Sequence, residues 1–344
     1  MTQTWTQYLQ QVGAQIENNT VIHFGQTEEE IEQAQHGDII TDLSHFGLIK
    51  VTGDDAEKLL QGQFTNDVRQ VTAEKNQLSA WCTHKGRMLV SFRLFKRNDA
   101  YYLLLPQDSV TSSIKRLQMY ILRTAVKLEE VSNSLLRIGI AGNHSTQILT
   151  ECLGDAPPSE VDGSLTIDKI TVLQVPGTRP RYIVFSETPQ ELWQCATKTA
   201  RQAGAAAWQL LDIIAGLPQI VSATAEAFVP QMVNFHVIGG VSFKKGCYTG
   251  QEIVARMQYL GSIRRRMYLA RIDTDSMPQP GDALYIAHSE ESVGKIVNAV
   301  ALPEGGAIVL AVIKISHAET DDIHWQRQQG EILQWLELPY LFEG

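Results

Sequence analysis

Strand-like runs in this chain come in groups, each group broken by a single helical stretch, and that grouping argues against a doubly wound sheet. Ile39-Ile40 and Leu48–Val51 read as short strands ended by Gly53. Asp54-Asp55 supplies helix-start chemistry for a short helix from Ala56 to Leu60, with Gly62 as its stop. Strand runs follow at Leu78–Cys82, Met88–Phe95 and Tyr101–Leu105, then a helix over about Ser109–Leu122. A second set has strands at Leu135–Ala141, Ile170–Val175 and Tyr182–Phe185 and a helix over Glu191–Ala203, with a loop around Gly154–Ser159. The fold class expected is α+β. At the start, Trp5, Tyr8, Leu9, Val12 and Ile16 recur at helical spacing. Residues 17–37 are polar and acidic, and Glu28-Glu29-Glu30 reads as a solvated face.

After Gly261 the texture changes. Met267–Ile272, Ala283–Ile286, Val293–Val300, Ala307–Ile313 and Ile332–Leu336 are strand candidates, separated by turns such as Pro278–Gly281 and Pro303–Gly306. Five short strands with little helix predict a small C-terminal β-barrel.

At 344 residues the chain can hold about two to three domains. With 44% hydrophobic and 19% charged residues it is globular rather than disordered. A net charge of −9 means that the molecule as a whole repels nucleic acid and anionic membrane, so an anionic partner must meet a local basic patch. No apolar run approaches 18 residues and the N-terminus lacks the pattern of a secretory signal, so a soluble cytoplasmic protein with no membrane partner is expected. The cysteines at 82, 152, 195 and 247 form no CxxC pair and no zinc spacing, and read as four free thiols suited to a reducing compartment. There is no P-loop, GxGxxG or HExxH, and nine dispersed histidines suggest no resident metal.

The most informative stretch is Lys244-Lys245-Gly246-Cys247-Tyr248-Thr249-Gly250-Gln251-Glu252. Thr249 followed by Glu252 is a capping-box pattern that opens a helix, with Ile253, Val254, Met257 and Tyr259-Leu260 as its apolar content and Gly261 as its end. Cys247 then precedes a helix N-terminus and follows two lysines, and both effects favour thiolate over thiol. Gly246 and Gly250 would let the backbone bend around the sulfur. A lone cysteine is also a common buried hydrophobe, so spacing alone leaves both readings open. Residues 241–271 carry seven basic side chains (Lys244, Lys245, Arg256, Arg264, Arg265, Arg266 and Arg271) against Glu252 alone, a local +6 that leaves −15 for the rest. That patch could hold a polyanionic tail or a nucleic-acid backbone, or be simply solvated. As bare sequence, Trp208 and Phe46 read as core.

Gly239–Phe243 running into KKGCYTGQE resembles the signature of the YgfZ family, relatives of the aminomethyltransferase (T-protein) of the glycine cleavage system. Phe228–Asn234, the run Leu43–Val68 and the final Leu338-Pro339-Tyr340 support it, and the similarity covers nearly the whole chain from about residue 38, with 130–205 least distinctive. The resemblance implies a T-protein-like, three-module arrangement around a central folate site. Residues 1–130 would form one α+β module and 131–204 a second. Residues 205–261 would carry the folate-site helix and the cysteine loop, and 262–344 the barrel. It places tetrahydrofolate or a folate derivative against Phe46 and Trp208, with basic residues for the glutamate tail and Cys247 at the mouth of the cavity.

It further implies an accessory protein, not a classical enzyme, that supports assembly or repair of iron–sulfur enzymes and through them tRNA modification. Folate, iron–sulfur enzymes or cluster-assembly proteins, and tRNA indirectly would be its partners. Cys247 would be redox-active or a transient cluster ligand, accompanied by Lys244, Lys245, Tyr248, Gln251, Glu252 and Arg256. The aspartate that aminomethyltransferases carry on the strand matching Gly86–Phe95 is absent, since Gly86–Ser91 holds no carboxylate. This speaks against a folate-dependent methyl- or aminomethyl-transferase. The third reading is a direct tRNA-binding module using Arg264-Arg265-Arg266.

Overall fold

The computed structural model describes residues 4–122, 124–259 and 261–342. Its three large sheets share one central core. A five-stranded antiparallel sheet runs in the order Gln77–Cys82, Met88–Arg97, Ala100–Pro106, Phe46–Thr52, Lys127–Glu130. A six-stranded sheet runs Ser164–Ile167, Ile170–Gln174, Arg181–Ser186, Leu136–Ala141, Ile39–Asp42, Arg201–Ala203, with only the last pair parallel. Sheet membership does not follow chain order, because Ile39–Asp42 lies among strands from residues 136–203.

Period-two alternation explains how the sheets pack. In the strand Phe46–Thr52, Phe46 and Leu48 face the central core while Ile49 and Val51 face an outer one. In Arg181–Ser186, Ile183 and Phe185 face the centre while Tyr182 and Val184 face away. The helix Ala205–Ile214 buries seven of its residues and enters the same core, as its almost wholly apolar sequence demands.

The C-terminal sheet has six strands, in the order His324–Trp325, Ala283–Ile286, Ser289–Ala301, Ala307–Lys314, Arg265–Ile272, Leu333–Leu336. It is a curled half-barrel rather than a full barrel, its two edges meeting at the His324–Ile332 bridge. Met267, Leu269 and Leu310 turn towards the central core, and Ala270, Ile272 and Val309 fill the curl.

Several local expectations change. The first helix is only Trp5–Gln11, and Ile16 lies in a hairpin, Gln15–Glu17 with Thr20–His23. Asn18 and Asn19 make its turn at φ 47° and 63°, a left-handed conformation that asparagine tolerates. Glu30 is buried, not solvated: its carboxylate accepts the backbone N–H groups of Phe24 (2.7 Å), Gln26 (3.2 Å) and Gly204 (2.9 Å). The helix expected to run to Ala203 stops at Ala196, because Arg201–Ala203 adds in parallel to Ile39–Thr41. Likewise the helix expected to reach Leu122 spans Val110–Gln118.

The cysteines are not four free thiols. Cys152 and Cys195, on the adjacent helices Ser145–Leu153 and Gln190–Ala196, form a disulfide, a pairing across 43 residues that has no signature in the spacing. Cys82 and Cys247 are free; burial pushes the Cys82 thiol up to about 12, which makes it inert. Among the described residues, no helix is long and apolar enough to cross a membrane.

Candidate functional site

The segment 239–249 is fastened along residues 61–66, which follow the short helix Ala56–Gln61. Asn66 donates its side-chain amide to the Gly239 carbonyl (2.7 Å), and the Thr65 hydroxyl donates to Gly240 (2.7 Å). The Ser242 and Thr249 N–H groups donate to the carbonyls of Thr65 (3.0 Å) and Gly62 (3.2 Å). Lys245 is the central fastener. Its ammonium donates to the carbonyls of Gln61 (2.8 Å), Phe64 (2.6 Å) and Asn66 (2.9 Å), and lies 5.0 Å from the centre of the Tyr248 ring. The Gln61 carbonyl ends the helix and carries partial negative charge, and those of Phe64 and Asn66 follow in the loop, so a cation fits among them. Burial pushes Lys245 down to about 8, with Asp67 opposing. All three Lys245 donors are committed to carbonyls, so its place in the loop is that of a backbone fastener.

Cys247 is exposed at the surface of this fastened loop, next to exposed Lys244. Tyr248 is buried, and burial pushes its hydroxyl pKa up. The helix that follows is Gln251–Tyr259, with Leu260 outside the described residues. Its start does not use the expected box. The Thr249 hydroxyl donates instead to Gln63 Oε1 (3.2 Å), and Gln251 Oε1 accepts from the Tyr248 N–H (3.2 Å). Glu252 and Arg256 form an exposed i,i+4 pair at 3.4 Å, which contributes a few tenths of a kcal/mol at most.

Gly246 meets no neighbour within 4 Å, whereas Gly250 is required. It sits at φ +86°, and a Cβ there would lie 2.3 Å from the Thr83 carbonyl oxygen. Gly250→Ala should cost about 2 kcal/mol in urea unfolding, from left-handed backbone strain and the contact with the Thr83–Arg87 turn. A loss below about 0.5 kcal/mol would mean that the loop is not seated on that turn.

The second feature is a small cavity of about 60 Å³ between the sheets, lined in part by Phe46, Ser91, Arg181, Trp208, Asp212 and Gln219. Trp208 is fully buried, and Gly139 makes room for it: a Cβ there would stand 2.5 Å from Cε3 and Cζ3 of the indole. The Arg181 guanidinium carbon lies 5.0 Å from the indole centre. Its Nε donates to the Pro176 carbonyl (2.6 Å) and its Nη2 to Asp212 Oδ1 (2.7 Å), while Gln219 Nε2 donates to Asp212 Oδ2 (2.6 Å). Burial raises the Asp212 carboxyl and Arg181 opposes that rise. Arg181 Nη1 and Trp208 Nε1 are buried without a partner. A neighbouring cavity of about 330 Å³ shares Asp212, Leu217 and Gln219 and runs to Met277–Pro280 and Asn298.

Sequence reasoning missed Arg181, Asp212 and Gln219. A signal did exist for Asp212, as the one carboxylate in an apolar helix, four residues after Trp208 and so on the same face. On the strand Met88–Arg97, Ser91 does structural work, donating to the Pro218 carbonyl (3.3 Å) and accepting from the Ile220 N–H (2.8 Å).

The two features are separate, contrary to the expectation of a sulfur at the cavity mouth. Among the described residues, none from the cysteine loop or its helix lines either cavity. The loop packs on the Thr83–Arg87 turn, while Ser91–Arg93 line the first cavity, roughly 17–23 Å along an extended strand from Gly86. The basic segment is also largely engaged. Lys245 is buried, Arg256 faces Glu252, Arg271 pairs with Asp273 and Glu304, and Arg266 stacks 3.9 Å over the Phe342 ring.

Residues 5–182 match the family model of the GCVT N-terminal domain. The tRNA-modifying protein YgfZ of Escherichia coli O7:K1 and that of Escherichia coli O127:H6 are each 31% identical to this chain over 307 residues, 88% of this chain and 93% of theirs. The crystal structure of glycine cleavage system aminomethyltransferase T from Bartonella henselae has the same fold, with a TM-score of 0.74 over 96% of this chain and 95% of that one at 13% identity. The two segments that carry the sequence signature meet along residues 61–66, on a fold shared with aminomethyltransferase T, and the chain belongs to the YgfZ family.

Proposed function

We propose that this chain binds a reduced folate between Phe46 and Trp208 and presents Cys247 to iron–sulfur enzymes or to the proteins that assemble their clusters. Its link to tRNA modification runs through those enzymes. The observation that carries the reading is the exposure of Cys247 on a loop whose backbone is fastened at both sides of the sulfur. An exposed thiol on a held loop can meet a partner's cluster without a large ordering cost. Cys247 offers one ligand, and a cluster in transit takes its others from the partner.

The chemistry of the cavity lining suits a pterin ring: two aromatic side chains and two buried N–H donors with no protein partner. Bound tetrahydrofolate is a carrier of one-carbon units. The chain's own residues would stack on its ring, orient its polar edge and keep water from it. An aminomethyl transfer is disfavoured by Ser91, which offers no proton-handling carboxylate and is already bonded to the backbone. A direct nucleic-acid role is disfavoured because most basic side chains of residues 241–271 already have partners.

Cys247→Ala should fail to restore iron–sulfur enzyme activity in a strain lacking this protein, while its thermal unfolding matches wild type. Full restoration by the alanine variant would remove the proposed role of the sulfur. Calorimetry on wild type with tetrahydrofolate tests the other half, and no heat with any reduced folate would remove it.

A further inference from the structure

We propose that Arg181 Nη1 and Trp208 Nε1 act together as a donor pair that reads a hydrogen-bond-accepting edge of a flat heterocycle, the 4-oxo edge of the pterin. The assignment rests on the folate reading above and specifies which chemical edge enters first.

The argument is one of unpaired hydrogen-bonding capacity. Arginine and the indole N–H can only donate. Three polar groups at the buried end of the cavity are otherwise satisfied by each other: Asp212 accepts from Arg181 Nη2 on one oxygen and from Gln219 on the other. Arg181 Nε is used by the Pro176 carbonyl. What remains is two donors, each buried and without a partner. A buried donor left unsatisfied costs about 1–3 kcal/mol, so a cavity holding two is built to be completed by acceptors.

Their placement supports joint action. The Cε3 and Cζ3 atoms of Trp208 lie against Gly139, on the side of the indole opposite Nε1. The guanidinium carbon lies 5.0 Å from the centre of the same ring, and both residues line the cavity. Asp212 and Gln219 are positioning residues, since they fix the guanidinium and do not offer a vacant acceptor. A 4-amino group in place of the 4-oxo oxygen would set a donor against two donors. The site should therefore reject the 4-amino compound, where a carboxylate-based site would accept it.

The test is calorimetry on the full chain with two probes, tetrahydrofolate and 4-amino-4-deoxytetrahydrofolate. Wild type should bind the 4-oxo compound at least tenfold more tightly. Trp208→Phe keeps the ring face and the packing but removes the N–H. It should weaken tetrahydrofolate binding about 5- to 10-fold and leave 4-amino binding nearly unchanged. Arg181→Lys keeps a cation beside Asp212 and should narrow the preference in the same way. Equal binding of the two probes by wild type, tighter binding of the 4-amino probe, or wild-type affinity in Trp208→Phe would overturn the donor pair while leaving folate binding in place. Binding of neither probe by wild type would overturn the folate reading and this assignment together.

Discussion

Arg181→Ala is expected to lower the free energy of unfolding by about 3–5 kcal/mol, the usual cost of removing one partner from a buried ion pair. Arg181 is 1% exposed and Asp212 7% exposed, and their 2.7 Å contact lies inside the central core. Alanine would leave Asp212 buried with only Gln219 as a partner. The loss should depend on pH with a definite sign. Burial already raises the Asp212 carboxyl and the guanidinium opposes that rise, so removing Arg181 raises it further. The unfolded carboxyl titrates near 3.9. Between that value and the raised folded value, the folded variant holds a proton that the unfolded chain has released, so its stability falls as pH rises. The deficit against wild type should therefore be smaller at pH 5 than at pH 8. Urea denaturation at both pH values measures it. Arg181→Met combined with Asp212→Leu should recover most of the loss, since it removes the buried charge as well. A deficit under 1 kcal/mol for Arg181→Ala, or one that does not change with pH, would show that Asp212 is not held in a desolvated core.

What was legible in the sequence was whatever depends on local alternation. Leu48 and Ile49 face different cores, as do Ile39 and Ile40, and such adjacent pairs are how a strand covered on both faces reads. The grouping of those runs is enough for the α+β class. What was not legible depends on partners far along the chain. Arg201–Ala203 continues a helical pattern and becomes a strand only because Ile39–Thr41 offers an edge. Glu30 sits in an acidic run that looks solvated, yet two backbone N–H groups from the turn just before it and one from distant Gly204 converge on it. The Asn18-Asn19 turn, by contrast, was present as a signal and went unread. At the site, the Cys247 loop was conspicuous by composition, but adjacency on the chain does not say where a side chain goes. Lys244 is exposed to solvent while Lys245 turns inward to three carbonyls at a bend in the chain. Asp212 stood out as the one carboxylate in an apolar helix, but its pairing with Arg181 joins a helix and a strand whose packing no local pattern reports.

Lys245→Met should be the variant that separates the loop's order from its sulfur. The ammonium makes three charged hydrogen bonds, each contributing more than a neutral one, partly offset by the cost of burying the charge. A net loss of about 3 kcal/mol is expected in urea unfolding. The stem of methionine can keep the apolar contact with Tyr248, but the carbonyls of Gln61, Phe64 and Asn66 would lose their shared donor. Lys245→Arg should not restore it, because a planar fork cannot place three donors around one point as an ammonium does. The local consequence is the sharper one. The amides of Ser242 and Thr249, bonded to Thr65 and Gly62, should exchange with solvent at least tenfold faster relative to central-sheet amides such as that of Leu104. Cys247 would still be present and exposed, but on a loop that must pay ordering entropy to meet a partner, so support of iron–sulfur enzymes should fall steeply. Unchanged support in a variant whose loop amides exchange freely would mean that the thiol alone suffices and that its fastening has no part in the function.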